Sequence, residues 1–215
     1  MIYLSSVSKT FKSVGHPLNV VFMPMTVSLP TERRVALLGR SLTGKSVLLR
    51  LLSGLEAPDT GQVVAPVRLS PIANSSAVFD QRMTIGDNIR YLARLYGVDA
   101  ETLTLATVSY CRTALPIESP ILALPRSLRR ALDVALVAVL PFDCYLLDHL
   151  TSLDAGSIGR YVANAAQRNA GVIFATGRVY DVREHADFVV VVHGKSLYPF
   201  DDVNEAIQFY DRQAA

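Results

Sequence analysis

Cysteine is nearly absent from this chain. Cys111 and Cys144 lie far apart without CxxC spacing, which excludes a disulfide framework and a cysteine metal knuckle and fits reduced core residues of a cytosolic protein. Charge is scarce as well: 21 basic against 19 acidic residues leave a net charge of +2, too little to argue for nucleic acid as a partner through bulk electrostatics. Long apolar runs are missing. The opening MIYLSSVSKTFKSV lacks the basic start and apolar stretch of a signal peptide. Residues 131–147, the most apolar region, are interrupted by Asp133, Pro141 and Asp143, so the chain is not expected to span a bilayer by itself. His16, His185 and His193 are scattered, with neither i, i+4 pairing nor a carboxylate cluster suited to zinc.

What is present is apolar. Half of the 215 residues are hydrophobic and 19% are charged, a balance that suggests surface buried against a partner. The length suits one domain with a sizeable core. Strands are expected over 20–29, 34–38, 144–148, 172–176 and 188–192, and helices over 45–52, 84–95, 127–140, 157–168 and 204–211. The run FVVVV at 188–192 has the continuous β-branched character of a strand buried on both faces. Strands alternating with helices predict an α/β fold with a mainly parallel central sheet. The region from about 90 to 140 holds helices without a clear strand, as a helical insertion would.

GRSLTGKS, residues 39–46, satisfies G-x-x-x-x-G-K-[ST] between a predicted strand and a predicted helix. Backbone N–H groups of such a loop and of the helix start cradle phosphate oxygens. Lys45 supplies a positive charge to the β- and γ-phosphates, and Ser46 a hydroxyl to Mg²⁺. About a hundred residues later Tyr145-Leu146-Leu147-Asp148 reads as a buried strand that delivers one carboxylate to the same metal. The following position, where a second carboxylate would orient the attacking water, is His149.

Together these motifs resemble the nucleotide-binding subunit of an ABC transporter, in an order that spans nearly the whole chain. Phe11, in SKTF, stands where that family places an aromatic that stacks on adenine. GRSLTGKS matches the Walker A loop, Gln81 in VFDQRMT the Q-loop, YLLDH the Walker B strand, and TSLDA the D-loop with Asp154. The short length and QRMTIGDNIRYLARLYGVD look most like the polysaccharide-export branch, which moves capsule or lipopolysaccharide chains across the inner membrane. The resemblance implies one P-loop NTPase domain over residues 1–215 with a helical subdomain at about 90–140. It implies ATP and Mg²⁺ as ligands: Phe11, Gly39, Arg40, Ser41, Leu42, Thr43, Gly44, Lys45, Ser46 and Val47 around the nucleotide, and Ser46, Gln81 and Asp148 around the metal. His149 and Gln81 take the catalytic positions. The implied partners are a transmembrane permease and a second ATP-binding subunit, identical or different. The implied location is cytoplasmic, on the inner face of the inner membrane.

Departures from the family pattern bear on the chemistry. Leu42 replaces a glycine of the Walker A loop. The signature motif falls at LPRSL, residues 124–128, with Pro125 in place of its serine and Ser127 in place of its second glycine, and Gly177 replaces the switch histidine. Pro125 offers neither hydroxyl nor N–H. Losing one preorganised donor costs roughly 10²–10³ in rate, and losing the base costs roughly 10²–10⁴. A neutral His149 can accept a hydrogen bond, whereas triphosphate charge favours the imidazolium, which can only contact phosphate as a cation. Arg126, Arg129 and Arg130 form a basic cluster that is either a solvated helix face or, through Arg126, a phosphate contact across a dimer, and Arg178 invites the same pair of readings. The expectation is an energy-coupling subunit with impaired hydrolysis; the alternative is a non-hydrolysing nucleotide-binding partner of an export complex. TSLDA after Walker B argues against a P-loop kinase.

Overall fold

A computed structural model of the chain describes residues 1–12, 18–73, 79–148 and 155–214. Strands β1 (Ile2–Phe11) and β2 (Asn19–Leu29) open the chain, followed by β3 (Arg34–Leu38), α1 (Lys45–Leu52), β4 (Thr60–Val64) and β5 (Leu69–Ala73). Helices α2 (Ile85–Tyr96), α3 (Ala100–Cys111) and α4 (Arg126–Val139) come next. Then β6 (Cys144–Leu147), α5 (Ala155–Gln167), β7 (Gly171–Thr176), α6 (Val179–His185), β8 (Phe188–His193), β9 (Ser196–Phe200) and α7 (Val203–Ala214) complete the fold.

Two sheets result. The larger has the order β5-β6-β7-β3-β8-β9, parallel throughout except for β9, which pairs antiparallel with β8. The smaller is antiparallel, in the order β2-β1-β4. Apart from its edge strand β9, the larger sheet is buried on both faces, and the two-residue alternation of a strand sorts its side chains between two cores. Val35 and Leu37 join Ile173, Ala175, Val190 and Val192 against α1 and the antiparallel sheet. Ala36 and Leu38 join Val172, Phe174, Val189 and Val191 against α4, α5 and α7. Both chain cysteines are free; Cys144 is buried in the core, whereas Cys111 at the end of α3 is only half-buried. Burial pushes their thiols up to about 12 and about 11 respectively.

The helices of residues 85–139 attach to the sheet through edge-to-face aromatics: Tyr96 to Phe142 at 5.2 Å, Phe142 to Tyr145 at 5.8 Å and Tyr145 to Tyr161 at 5.8 Å. The Tyr145 hydroxyl donates to Leu140 O at 2.6 Å, so its polar tip is satisfied inside the core. Helix α2 starts where Thr84 accepts from Asp87 N and stops at left-handed Gly97, φ 65°. Among the described residues, no helix is long and apolar enough to cross a membrane.

Several elements were not legible in the sequence, each for a local reason. Strand β1 is irregular: Ser6 takes φ 50°, and its pairing with β2 shifts register after Leu4. Most of β4 is exposed, so it carries no apolar pattern. Pro71 interrupts β5 and is tolerated because β5 lies on the sheet edge. In α3 only Leu103 and Thr107 are buried, which leaves little helical periodicity to read.

Gly171 begins β7 where the chain passes Thr31: a Cβ built there would lie 2.1 Å from Thr31 O and 2.9 Å from Arg33 O. Backbone cannot yield as a flexible side chain can. Gly171→Ala is therefore expected to cost about 3 kcal/mol and to lower Tm by roughly 6–12 °C in calorimetry. An unchanged Tm would contradict the tight approach.

Candidate functional site

The site begins where β3 ends. Gly39 N donates to Thr176 O of β7 at 3.2 Å, and a Cβ at Gly39 would lie 2.6 Å from Thr43 Oγ1 and 2.7 Å from Val192 O. Glycine is the residue that fits between these neighbours. The loop then turns through two left-handed residues, Leu42 at φ 66° and Gly44 at φ 103°. Leu42 is fully exposed, so its side chain clashes with nothing, and the loop keeps this conformation in spite of a residue for which it costs about 1–2 kcal/mol. At Gly44 a side chain would meet Val21 at 2.7 Å and Phe22 at 2.8 Å.

Gly44 is the N-cap of α1, with no side-chain cap and no acidic residue in the first turn. That leaves backbone N–H groups of the first turn directed at whatever lies before the helix, a favourable place for an anion. The Lys45 ammonium curls over the loop and donates to Gly39 O and Arg40 O, both at 2.7 Å. Thr43 Oγ1 donates to Arg40 O at 2.9 Å. Arg40 and Thr43 thus shape the loop from within instead of lining its cavity.

That cavity is a cleft of ≈ 740 Å³ lined by residues from both sheets and from α1. Phe11, Asn19 and Val21 come from the antiparallel sheet; Gly39, Ser41, Leu42 and Gly44 from the loop; Lys45, Ser46, Val47 and Arg50 from α1. Asp148, Ala175, Thr176 and Gly177 come from the ends of β6 and β7. Nearly all the residues singled out in the sequence around one nucleotide therefore share one wall. Those the sequence did not signal are Asn19, Val21, Arg50, Ala175 and Thr176; of these Arg50 was findable, since it lies one helical turn from Ser46 and three residues from Val47. Asp148 is 7% exposed. Burial pushes the Lys45 pKa down, and the charge of Asp148 opposes that shift. An ammonium, a buried carboxylate, a hydroxyl and a helix N-terminus in one cleft suit a polyphosphate. The oxygen donors Ser46 and Asp148 suit Mg²⁺, which uses one or two carboxylates and completes its shell with water and substrate phosphates.

Other residues lie elsewhere. Gln81 does not line this cleft but a groove of ≈ 230 Å³ with Phe79, Arg126, Arg129 and Arg130. Its loop is held by Asn88 of α2, which is buried: the Asn88 amide accepts from Asp80 N at 2.9 Å and donates to Asp80 O at 3.0 Å and Thr84 O at 2.9 Å. Leu122 N donates to Gln81 O at 2.8 Å, clipping the loop to the segment that leads into α4. Pro125 is the N-cap of α4 and makes no side-chain cap. Arg178 is ion-paired on one side: its Nε donates to Asp181 at 2.8 Å, and Thr176 Oγ1 donates to the same carboxylate oxygen at 2.6 Å, while the side chain stays half-exposed. Gly177 stands against the loop, where a Cβ would lie 3.3 Å from Gly39 O. His16, His149 and Asp154 lie outside the described residues.

Comparison with known proteins places this geometry in context. The family model described as ABC transporter matches residues 22–116. The capsule polysaccharide export ATP-binding protein CtrD of Neisseria meningitidis serogroup B is 26% identical over 215 residues, covering 98% of this chain and 99% of its own. The cytochrome c biogenesis ATP-binding export protein CcmA of Cupriavidus necator is 33% identical over 161 residues, 67% of this chain and 69% of its own. Among solved structures, a dimeric ATP-binding cassette in a post-hydrolysis state with ADP and Pi has a TM-score of 0.78 at 15% identity, covering 92% of this chain and 96% of its own, a likeness of fold.

Opposite substitutions probe the two left-handed loop positions. Leu42→Gly is expected to raise stability by about 1 kcal/mol, and Gly44→Ala to lower it by about 2 kcal/mol through positive φ and contact with Phe22. Urea unfolding of the two variants measures both, and a destabilised Leu42→Gly would show that the loop does not hold this conformation.

Proposed function

Given that this chain belongs to the ABC transporter ATP-binding family, we propose that it powers the export of a polysaccharide, or a glycan-linked lipid, through a membrane-embedded permease. The observation that carries the nucleotide part is the convergence of Phe11, Lys45, Ser46 and Asp148 on one cleft. The cargo rests on similarity along 98% of the chain to a capsule polysaccharide export ATP-binding protein.

In this reading Lys45 and the α1 N-terminus hold the β- and γ-phosphates, and Phe11 stacks on the adenine. Ser46 and Asp148 hold Mg²⁺, which would neutralise phosphate charge when bound. Gln81 serves the permease side, since it lines the arginine groove apart from the cleft. Two ATP-binding subunits, identical or different, close on ATP, and closure drives the permease from the inner face of the inner membrane. Hydrolysis is slow. Pro125 caps α4 without a hydroxyl, Gly177 brings no imidazole to the loop, and His149 replaces the carboxylate that would orient water.

Steady-state hydrolysis at saturating Mg-ATP tests this beside titration calorimetry. Expected are ATP binding that Lys45→Ala abolishes and turnover roughly 10²–10³ below that of an enzyme with the full donor set. Turnover near the ordinary enzyme median of about 10 s⁻¹ would overturn the slow-hydrolysis reading. Binding without any turnover would make the chain a non-hydrolysing partner, and no binding at all would sink the proposal.

A further inference from the structure

The Phe11 ring is not left to itself. Behind it lies Lys9, 7% exposed, with its ammonium 5.1 Å from the centre of the Phe11 ring. Lys9 is no part of the cleft wall. Its Nζ meets Glu56 Oε1 at 2.6 Å, Ala57 O at 2.8 Å and Asp59 Oδ1 at 3.4 Å. We propose that Lys9 is a positioning residue for the nucleotide base: clamped by Glu56, Ala57 and Asp59, its ammonium fixes the Phe11 ring as the platform on which the base stacks. The inference rests on the reading of the cleft as an ATP site with Phe11 under the base.

The argument starts from cost. A buried ammonium is expensive even when paired, and an apolar residue of similar size in its place would often be neutral or better for stability. Stability alone does not call for a lysine here. What the charge supplies is direction. Three partners fix the nitrogen, and a cation over one face of an aromatic ring is attracted to its π-system and so restrains the ring. Phe11 needs such restraint, because it is the last residue of β1 and its partner Asn19 is the first of β2. The cation also draws π density toward itself, which suits the opposite face to an electron-rich purine.

The clamp belongs to the same unit as the phosphate end of the cleft. Glu56 N donates to Arg50 O in the last turn of α1 at 3.1 Å, and Asp59 N donates to Ser8 O at 2.9 Å. Asp59 Oδ2 accepts from Thr10 N at 2.6 Å. The segment after α1 therefore grips β1 on both sides of Lys9, and the helix whose start faces the phosphates is joined through its other end to the base platform. The hydrogen bond to Glu56 raises the Lys9 pKa against the effect of burial, so Lys9 stays a cation at neutral pH.

The test uses titration calorimetry of the full chain with two probes, Mg-ATP and Mg-tripolyphosphate, which share the phosphates but not the base. Lys9→Met is expected to weaken ATP binding roughly threefold to tenfold while tripolyphosphate binding is unchanged, and Lys9→Arg to retain most of the ATP affinity. Glu56→Gln, which keeps both Lys9 and Phe11, should shift the ATP-to-tripolyphosphate ratio in the same direction by less. Equal weakening of both probes in Lys9→Met would reveal a merely structural role, and loss of neither would also overturn the inference. If Lys9→Met does not fold, Glu56→Gln decides: an unchanged ratio overturns the inference. Phe11→Ala separates the two levels. A ratio that falls roughly tenfold in Phe11→Ala but holds in both clamp variants refutes Lys9 alone. A ratio unmoved in Phe11→Ala removes the base-stacking reading and the inference with it.

Discussion

At the carboxyl end of β3 the backbone of Gly39 is pressed between β7 and β8, bonded to Thr176 O and within side-chain distance of Val192 O. This contact fixes where the chain leaves the sheet, hence where the loop turns and where α1 begins. Lys45 reaches back to the same point, bonding Gly39 O and Arg40 O. Asp148 arrives there because β6 runs parallel to β7 in the same sheet. A parallel sheet gathers the carboxyl ends of its strands on one edge, which is why ligands of open α/β folds bind there. Without the tight packing at Gly39 the ammonium, the hydroxyl and the carboxylate would have no common address.

The cleft is nonetheless the work of two sheets. Its phosphate-directed groups hang from the parallel sheet and α1, whereas Phe11, Asn19 and Val21 hang from the antiparallel one. The two are joined by Gly44, whose missing side chain admits Val21 and Phe22, and by the ion-paired segment between α1 and β4. A ligand that spans both parts reports on their relative placement, and packing around one glycine and one lysine sets that placement.

Sequence reading recovered what is periodic or covalently spaced. RVALL, CYLL and FVVVV are buried runs too apolar to be anything but interior strands, and GRSLTGKS is held together by spacing within a single turn. Lys45, Ser46 and Asp148 were legible for that reason. Contacts between segments distant in sequence were not. Lys9 on β1 meets Glu56 in the segment between α1 and β4, and nothing in SKTF or LEAPD announces a partner. The motif marks Gln81 as a metal neighbour, and what it does not announce is the groove Gln81 shares with the arginines of α4, on a turn held by hydrogen bonds among residues 80–88. For Arg178 the sequence leaves a solvated face and a phosphate contact both open, and the short α6 adds what neither includes, an ion pair with Asp181.

The fastening of that turn has a mechanical side. Three hydrogen bonds from one buried amide, together with the backbone bond from Leu122 to Gln81, leave residues 80–84 with little freedom to stretch against α2. The turn and α2 form one stiff lever, tied through Leu122 to the segment that leads into α4. A push delivered anywhere along α2 therefore reaches the turn as a displacement of Gln81 and of the arginine groove it lines.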